Sequence, residues 1–120
     1  MKRAVYVTSD LLFSSRVTQA ARQLGLEIVV VGSEEAVRLE SAAGDISLVI
    51  LDLGRVGSDL LRFVTAIRAH APEATIIAYG PHVDEAALAS AHSAGCDLVL
   101  PRGQFDREMK PLLQKYLRPE

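Results

Sequence analysis

The sequence is short of cysteine, of charge of one sign and of long apolar runs, and each shortage removes a class of protein. Cys96 is the single cysteine. No internal disulfide can form, so a disulfide-stapled scaffold is excluded and a reducing, cytoplasmic compartment is the expected location. Thirteen Lys and Arg stand against 15 Asp and Glu, a net charge of -2, which predicts binding neither to nucleic acid nor to an anionic membrane. The basic start Met1-Lys2-Arg3 leads into Ala4-Val5-Tyr6-Val7, but Thr8-Ser9-Asp10 breaks the run. That is too short for a signal peptide or a membrane span. No GxGxxG or phosphate-loop pattern occurs. His82 and His92 stand ten positions apart with no HxxxH or cysteine cluster, so no metal is expected there and both are read as surface residues. No internal repeat, low-complexity run or interdomain linker is visible.

What is present suits one globular domain over residues 1–120, either free-standing or part of a longer protein, with 49% hydrophobic and 23% charged residues. The organising stretch is Ile46-Ser47-Leu48-Val49-Ile50-Leu51-Asp52-Leu53-Gly54. Its aliphatic run is too short for a helix and reads as a strand buried on both faces. Similar runs occur at 4–7, 26–31, 75–79 and 96–100.

Helical patterns fall between them. Ser9 or Asp10 caps a first helix whose apolar residues are Leu11, Leu12, Val17, Ala20, Ala21 and Leu24, with Gly25 as its C-cap. Gly32-Ser33 opens a second, with Glu34 and Glu35 in its first turn, running to Ala43. Ser58 caps a third, with Leu60, Leu61, Val64 and Ile67 facing inward and Pro72 marking its end. An alanine-rich fourth spans Val83–Ala94, and a last spans Phe105–Leu117 with Pro111 inside or dividing it. Five strand–helix alternations with continuous apolar strands predict an α/β fold: a doubly wound, flavodoxin-like parallel sheet, order 2-1-3-4-5, with helices on both faces.

In such a fold chemistry collects at the carboxyl ends of the strands where the order reverses. Strands one and three flank that point, and Thr8, Ser9, Asp10 and Asp52 lie at their ends. A carboxylate closing a buried strand needs compensation, so Asp52 is the residue to be explained.

Leu48-Val49-Ile50-Leu51-Asp52-Leu53, the helix Asp59–Arg68 and the turn Ala94-Gly95-Cys96-Asp97 together resemble the receiver domain of two-component response regulators. The resemblance covers nearly the whole chain in element order and length. It implies that Asp52 occupies the phosphoacceptor position, in a family that holds Mg²⁺ with that aspartate and an acidic pair after the first strand. It also implies a hydroxyl after the fourth strand and a lysine after the fifth. Aligned without gaps, the acidic pair falls on Thr8 and Ser9, with Asp10 adjacent. The hydroxyl position falls on Tyr79, the fifth-strand aromatic on Val99, the lysine on Arg102 and its following proline on Gly103.

Only Asp52 matches unchanged. The expectation is therefore an atypical receiver, a pseudo-receiver, that signals through protein contacts without the Mg²⁺-dependent phosphorylation switch. Asp52 would then pair with Arg102 or cap local N–H groups, with Tyr79 filling the phosphoryl space. Asp10 would act as an N-cap, and Thr8 and Ser9 would bond to Asp52 or to loop backbone. The alternative is a phosphorylatable receiver in a phosphorelay, with Asp52 as acceptor, Asp10 and Asp52 holding Mg²⁺ and Arg102 as the cation. An enzyme is not expected. Gly54 stands where a HAD-type phosphatase needs its second aspartate, and a carrier built on the flavodoxin-like scaffold rests on fold analogy alone.

Receiver domains commonly meet protein partners, or pair as homodimers, through the fourth helix, fifth strand and last helix. Here that implies the alanine-rich surface and Met109, Leu112, Leu113 and Tyr116.

Overall fold

Each strand sends alternate side chains to opposite faces of the sheet, and here both faces are apolar, so two cores form. The computed structural model describes residues 3–117; Met1, Lys2, Arg118, Pro119 and Glu120 lie outside the described residues. The strands are β1 (Arg3–Val7), β2 (Glu27–Val31), β3 (Ile46–Asp52), β4 (Thr75–Gly80) and β5 (Leu98–Pro101). They form one parallel sheet in the order β2-β1-β3-β4-β5, as the alternation of runs predicts.

The helices are α1 (Leu11–Gln23), α2 (Glu34–Ala42), the single turn α3 (Leu53–Val56), α4 (Leu60–His70), α5 (Glu85–Ser93) and α6 (Arg102–Leu117). Val49 and Leu51 of β3 join Val37, Phe63, Val64, Ile67 and Ala91 on the α2, α4 and α5 side. Leu48 and Ile50 join Phe13, Val17, Phe105, Met109 and Leu113 on the α1 and α6 side. Fully burying one such side chain contributes about 1.5–3 kcal/mol.

Caps set the helix starts. Asp10, Ser33 and Asp84 accept from the backbone N–H three residues on, at 2.9, 3.1 and 3.1 Å. Asp84 thus lies before α5, which begins at Glu85 rather than Val83. Ser58 caps nothing: Leu53–Val56 is a short helix, Gly57–Asp59 a 3-10 turn, and α4 follows directly.

The inner faces are narrower than the apolar pattern suggests. Leu11 and Leu12 are 77% and 86% exposed and Leu61 is 64% exposed, while Phe13 and Phe63 take the inward places. β5 starts two residues later than expected, because the approach to it is spent on caps. The Cys96 N–H returns to the Ala91 carbonyl, and the Asp97 carboxylate accepts from the Ile76 N–H at 2.8 Å and from Arg68 at 2.8 Å. Gly95, at φ +98°, makes the left-handed turn that this return requires. α6 runs unbroken from Arg102 through Pro111.

Candidate functional site

Strand parity carries the candidate residues to one side of the sheet. Tyr6 and Thr8, Ile50 and Asp52, and Ile77 and Tyr79 alternate in step, and Asp52 lies directly beside Tyr79 in the β3–β4 register. All face α1 and α6.

Asp52 closes β3 half-buried. Its Oδ2 accepts from Thr8 Oγ1 at 2.7 Å and its Oδ1 from the Gly54 N–H at 2.9 Å, capping α3. Thr8 is 4% exposed, and its hydroxyl also accepts from the Asp10 N–H at 3.0 Å. The neutral network expected of Thr8 is therefore present, whereas Ser9 is exposed to solvent.

Asp10 has both carboxylate oxygens engaged by groups other than Asp52 and its partners. Its Oδ1 takes the Phe13 N–H and its Oδ2 takes Arg102 at 3.0 Å. The Phe13 N–H and, after it, the Arg102 charge hold the Asp10 carboxyl below the usual carboxylate range. Of the two roles expected of Asp52, capping a local N–H is the one present, and the pair with Arg102 is not: Arg102 meets Asp10 instead. The cause is Phe13: the guanidinium carbon lies 4.4 Å from the centre of that ring, and stacking on the aromatic face directs it toward α1.

Tyr79 is not a lid over Asp52. Its ring is 2% exposed and stacks on Phe105 at 4.8 Å and 10°, with Phe13 at 5.4 Å. Its hydroxyl meets that of Tyr6 at 2.5 Å, where either can donate. Burial pushes the Tyr6 hydroxyl up to about 12, and burial together with the Tyr6 partner pushes Tyr79 higher still. Sequence reasoning missed Tyr6 and Phe13. The signal available was parity: Tyr6 is two residues before Thr8, and Phe13 is three after the capping Asp10.

On the α5, β5 and α6 side, Met109 and Leu113 are 6% and 1% exposed. They are core residues, not the partner surface expected of them, since the last helix needs one apolar stripe for the sheet. Leu112 and Tyr116 are partly buried.

No protein-family model matches the sequence, and no curated protein matches it. Among solved structures, a response regulator from Hahella chejuensis superposes with a TM-score of 0.83 at 14% identity, covering 98% of this chain and 96% of that one. The receiver domain of the sensor histidine kinase PA1611 from Pseudomonas aeruginosa PAO1, with a magnesium ion coordinated in its active-site cleft, gives 0.79 at 16% identity over 96% of each chain. The beryllofluoride-activated NtrC4 receiver domain dimer gives 0.76 at 17% identity, over 97% of this chain and 99% of that one. The fold is that of response-regulator receiver domains.

The residues at the cleft of this receiver fold do not fit a magnesium ion. Mg²⁺ asks for near-octahedral oxygen ligation in which carboxylates face the metal. Here a threonine hydroxyl donates toward Asp52, and the neighbouring carboxylate already holds a guanidinium and an amide. Among the described residues no three of His, Cys, Asp and Glu are grouped to hold a metal ion. No described helix is long and apolar enough to cross a membrane.

Proposed function

We propose that this chain is a pseudo-receiver: a signalling module, not an enzyme, that works through protein contacts without Mg²⁺-dependent phosphorylation of Asp52. The observation that carries this reading is the Asp10–Arg102 pair at 3.0 Å. A cation fixed in the protein occupies Asp10, the carboxylate that follows β1 and Thr8, where a metal-dependent site needs free acidic oxygens. Thr8 supports the same reading, since its 2.7 Å hydrogen bond satisfies Asp52 with a neutral donor.

The buried Tyr79 adds a second reason. A switch hydroxyl has to move between two positions, whereas this one is held between aromatic rings and the Tyr6 hydroxyl. The reading places the module in the reducing cytoplasm, in keeping with a single buried thiol. It allows contact, or homodimerisation, through α5, β5 and α6, whose outer face presents small side chains such as Ala86 and Ala89.

Incubation with a small phosphodonor and Mg²⁺, with beryllofluoride in parallel, tests it by intact mass and melting temperature. The expected result is no Mg²⁺-dependent adduct and no shift in melting temperature. A phosphate adduct that disappears in Asp52→Asn would establish the phosphorylatable receiver instead.

A further inference from the structure

Although the chain is acidic overall, its charge is unevenly placed. Between α1 and α6 runs a groove of about 550 Å³, floored by the buried Ala20 and Met109. Its walls carry Arg16, Arg107 and Lys110 against one acid, Asp106. Asp106 is already engaged by Arg16 at 2.8 Å, a pair that also ties α1 to α6. Among the described residues Arg107 and Lys110 pair with no carboxylate. Both are exposed.

The groove continues into a second hollow of about 480 Å³ that shares Arg16 and Asp106 and ends at Leu12, which is 86% exposed. From Gln23 to Leu12 the trough follows α1 for about 16 Å at 1.5 Å per residue. That is the span of about five extended residues. Gln19 and Gln23, one helical turn apart, line the same wall and offer amides that can bond to a peptide backbone.

We propose that the α1–α6 groove docks an acidic, extended segment of a partner protein, with carboxylates on Arg107 and Lys110 and an apolar residue against Leu12. Charge complementarity selects the acidic class. A protein segment suits the groove better than nucleic acid because the Gln19 and Gln23 amides can both donate to and accept from a peptide backbone, whose N–H groups a phosphate backbone lacks. The trough excludes Asp52, though its second hollow shares Phe13 and Arg102 with the site described above; binding read at Arg107 and Lys110 does not require phosphorylation there.

Fluorescence anisotropy with a labelled peptide of leucine followed by glutamates tests it on the intact chain. The expected result is saturable binding that weakens steeply with salt. It should fall about tenfold or more in Arg107→Glu/Lys110→Glu, fall in the charge-neutral Gln19→Ala/Gln23→Ala, and be unchanged in Asp84→Lys/Glu85→Lys on α5. Melting curves of each variant separate lost binding from lost folding. Absence of saturable binding, insensitivity to the Arg107 and Lys110 reversals, or tighter binding of a single-stranded oligonucleotide than of the peptide would overturn the proposal.

Discussion

At the residue scale the telling pair is Tyr6 and Tyr79, two phenols with their hydroxyls 2.5 Å apart in a buried aromatic cluster. Removing one hydroxyl leaves the other unpartnered, which costs about 1–3 kcal/mol, whereas removing both leaves no orphan. Urea unfolding of Tyr6→Phe, Tyr79→Phe and the double variant should therefore give a double-variant loss smaller than the sum of the singles; additive losses would show that the hydroxyls do not interact. The pair also fixes the alkaline limit of stability. Tyr6 is raised from 10.0 to about 12, so the folded state keeps a proton that the unfolded chain releases. That stabilisation is complete below the unfolded value and is lost as pH rises through the folded one. Cys96, raised from 9.0 to about 11 by burial and then by the Asp97 charge, adds to the decline. Melting temperature should fall from about pH 9, where Cys96 begins to contribute, to about pH 12, and less so above about pH 10 in the double Phe variant. Parity could have paired these tyrosines from the sequence, since Tyr6 and Thr8 share a face as Tyr79 and Asp52 do. What the sequence could not show was which way the Tyr79 ring turns, because that depends on Phe13 and Phe105 meeting it from two different helices.

At the element scale α6 carries its own cost. Pro111 lies inside the helix and is exposed, so it removes one backbone hydrogen bond without gaining burial. Pro111→Ala should stabilise the protein by up to about 3 kcal/mol, read as a higher urea midpoint at unchanged slope; a lower midpoint would show that the ring shapes the helix. Helix existence was legible from apolar spacing for five of the six helices, the single turn α3 being the exception. Helix faces were less so: Leu11, Leu12 and Leu61 fit an inward stripe by period, yet α1 and α4 each turn a phenylalanine inward one or two positions on. Period gives a stripe, and the rotation of the helix about its axis is settled by the largest side chain that the opposing surface accepts.

At the scale of the whole molecule, Asp97 joins three elements. Its carboxylate caps the Ile76 N–H of β4 and pairs with Arg68 of α4 at 2.8 Å, while Arg68 also donates to the Ala74 and Gly95 carbonyls. Burial opposes its ionisation, but the Ile76 and Arg68 hydrogen bonds prevail and hold it below its ordinary value. A depressed carboxylate stabilises the fold above the unfolded value, and that contribution is lost as pH falls through the folded one. Stability measured by urea unfolding should decline below about pH 4, with a shallower decline in Asp97→Asn, which keeps the cap but cannot titrate. An equally steep decline in that variant would assign the acid sensitivity elsewhere, with Asp10, also depressed, as the next candidate.

The five strands, the helices between them and the position of Asp52 at the end of β3 were determined by the sequence alone, because each depends on the local spacing of apolar residues and on the turn and cap residues beside them. The order of the strands was expected only from the few arrangements that right-handed crossovers allow, and the sheet itself supplies it. The partners of Asp52 were not legible in the sequence. Thr8, Asp10 and Arg102 are separated from it by tens of residues, and several pairings satisfy the same charges. Only the folded structure decides among them: Phe13 draws Arg102 onto its ring, Arg102 takes Asp10, and Asp52 is left to the hydroxyl of Thr8 and the amide of Gly54. Side-chain pairing at a crevice is a competition in three dimensions, and aromatic packing settled it here.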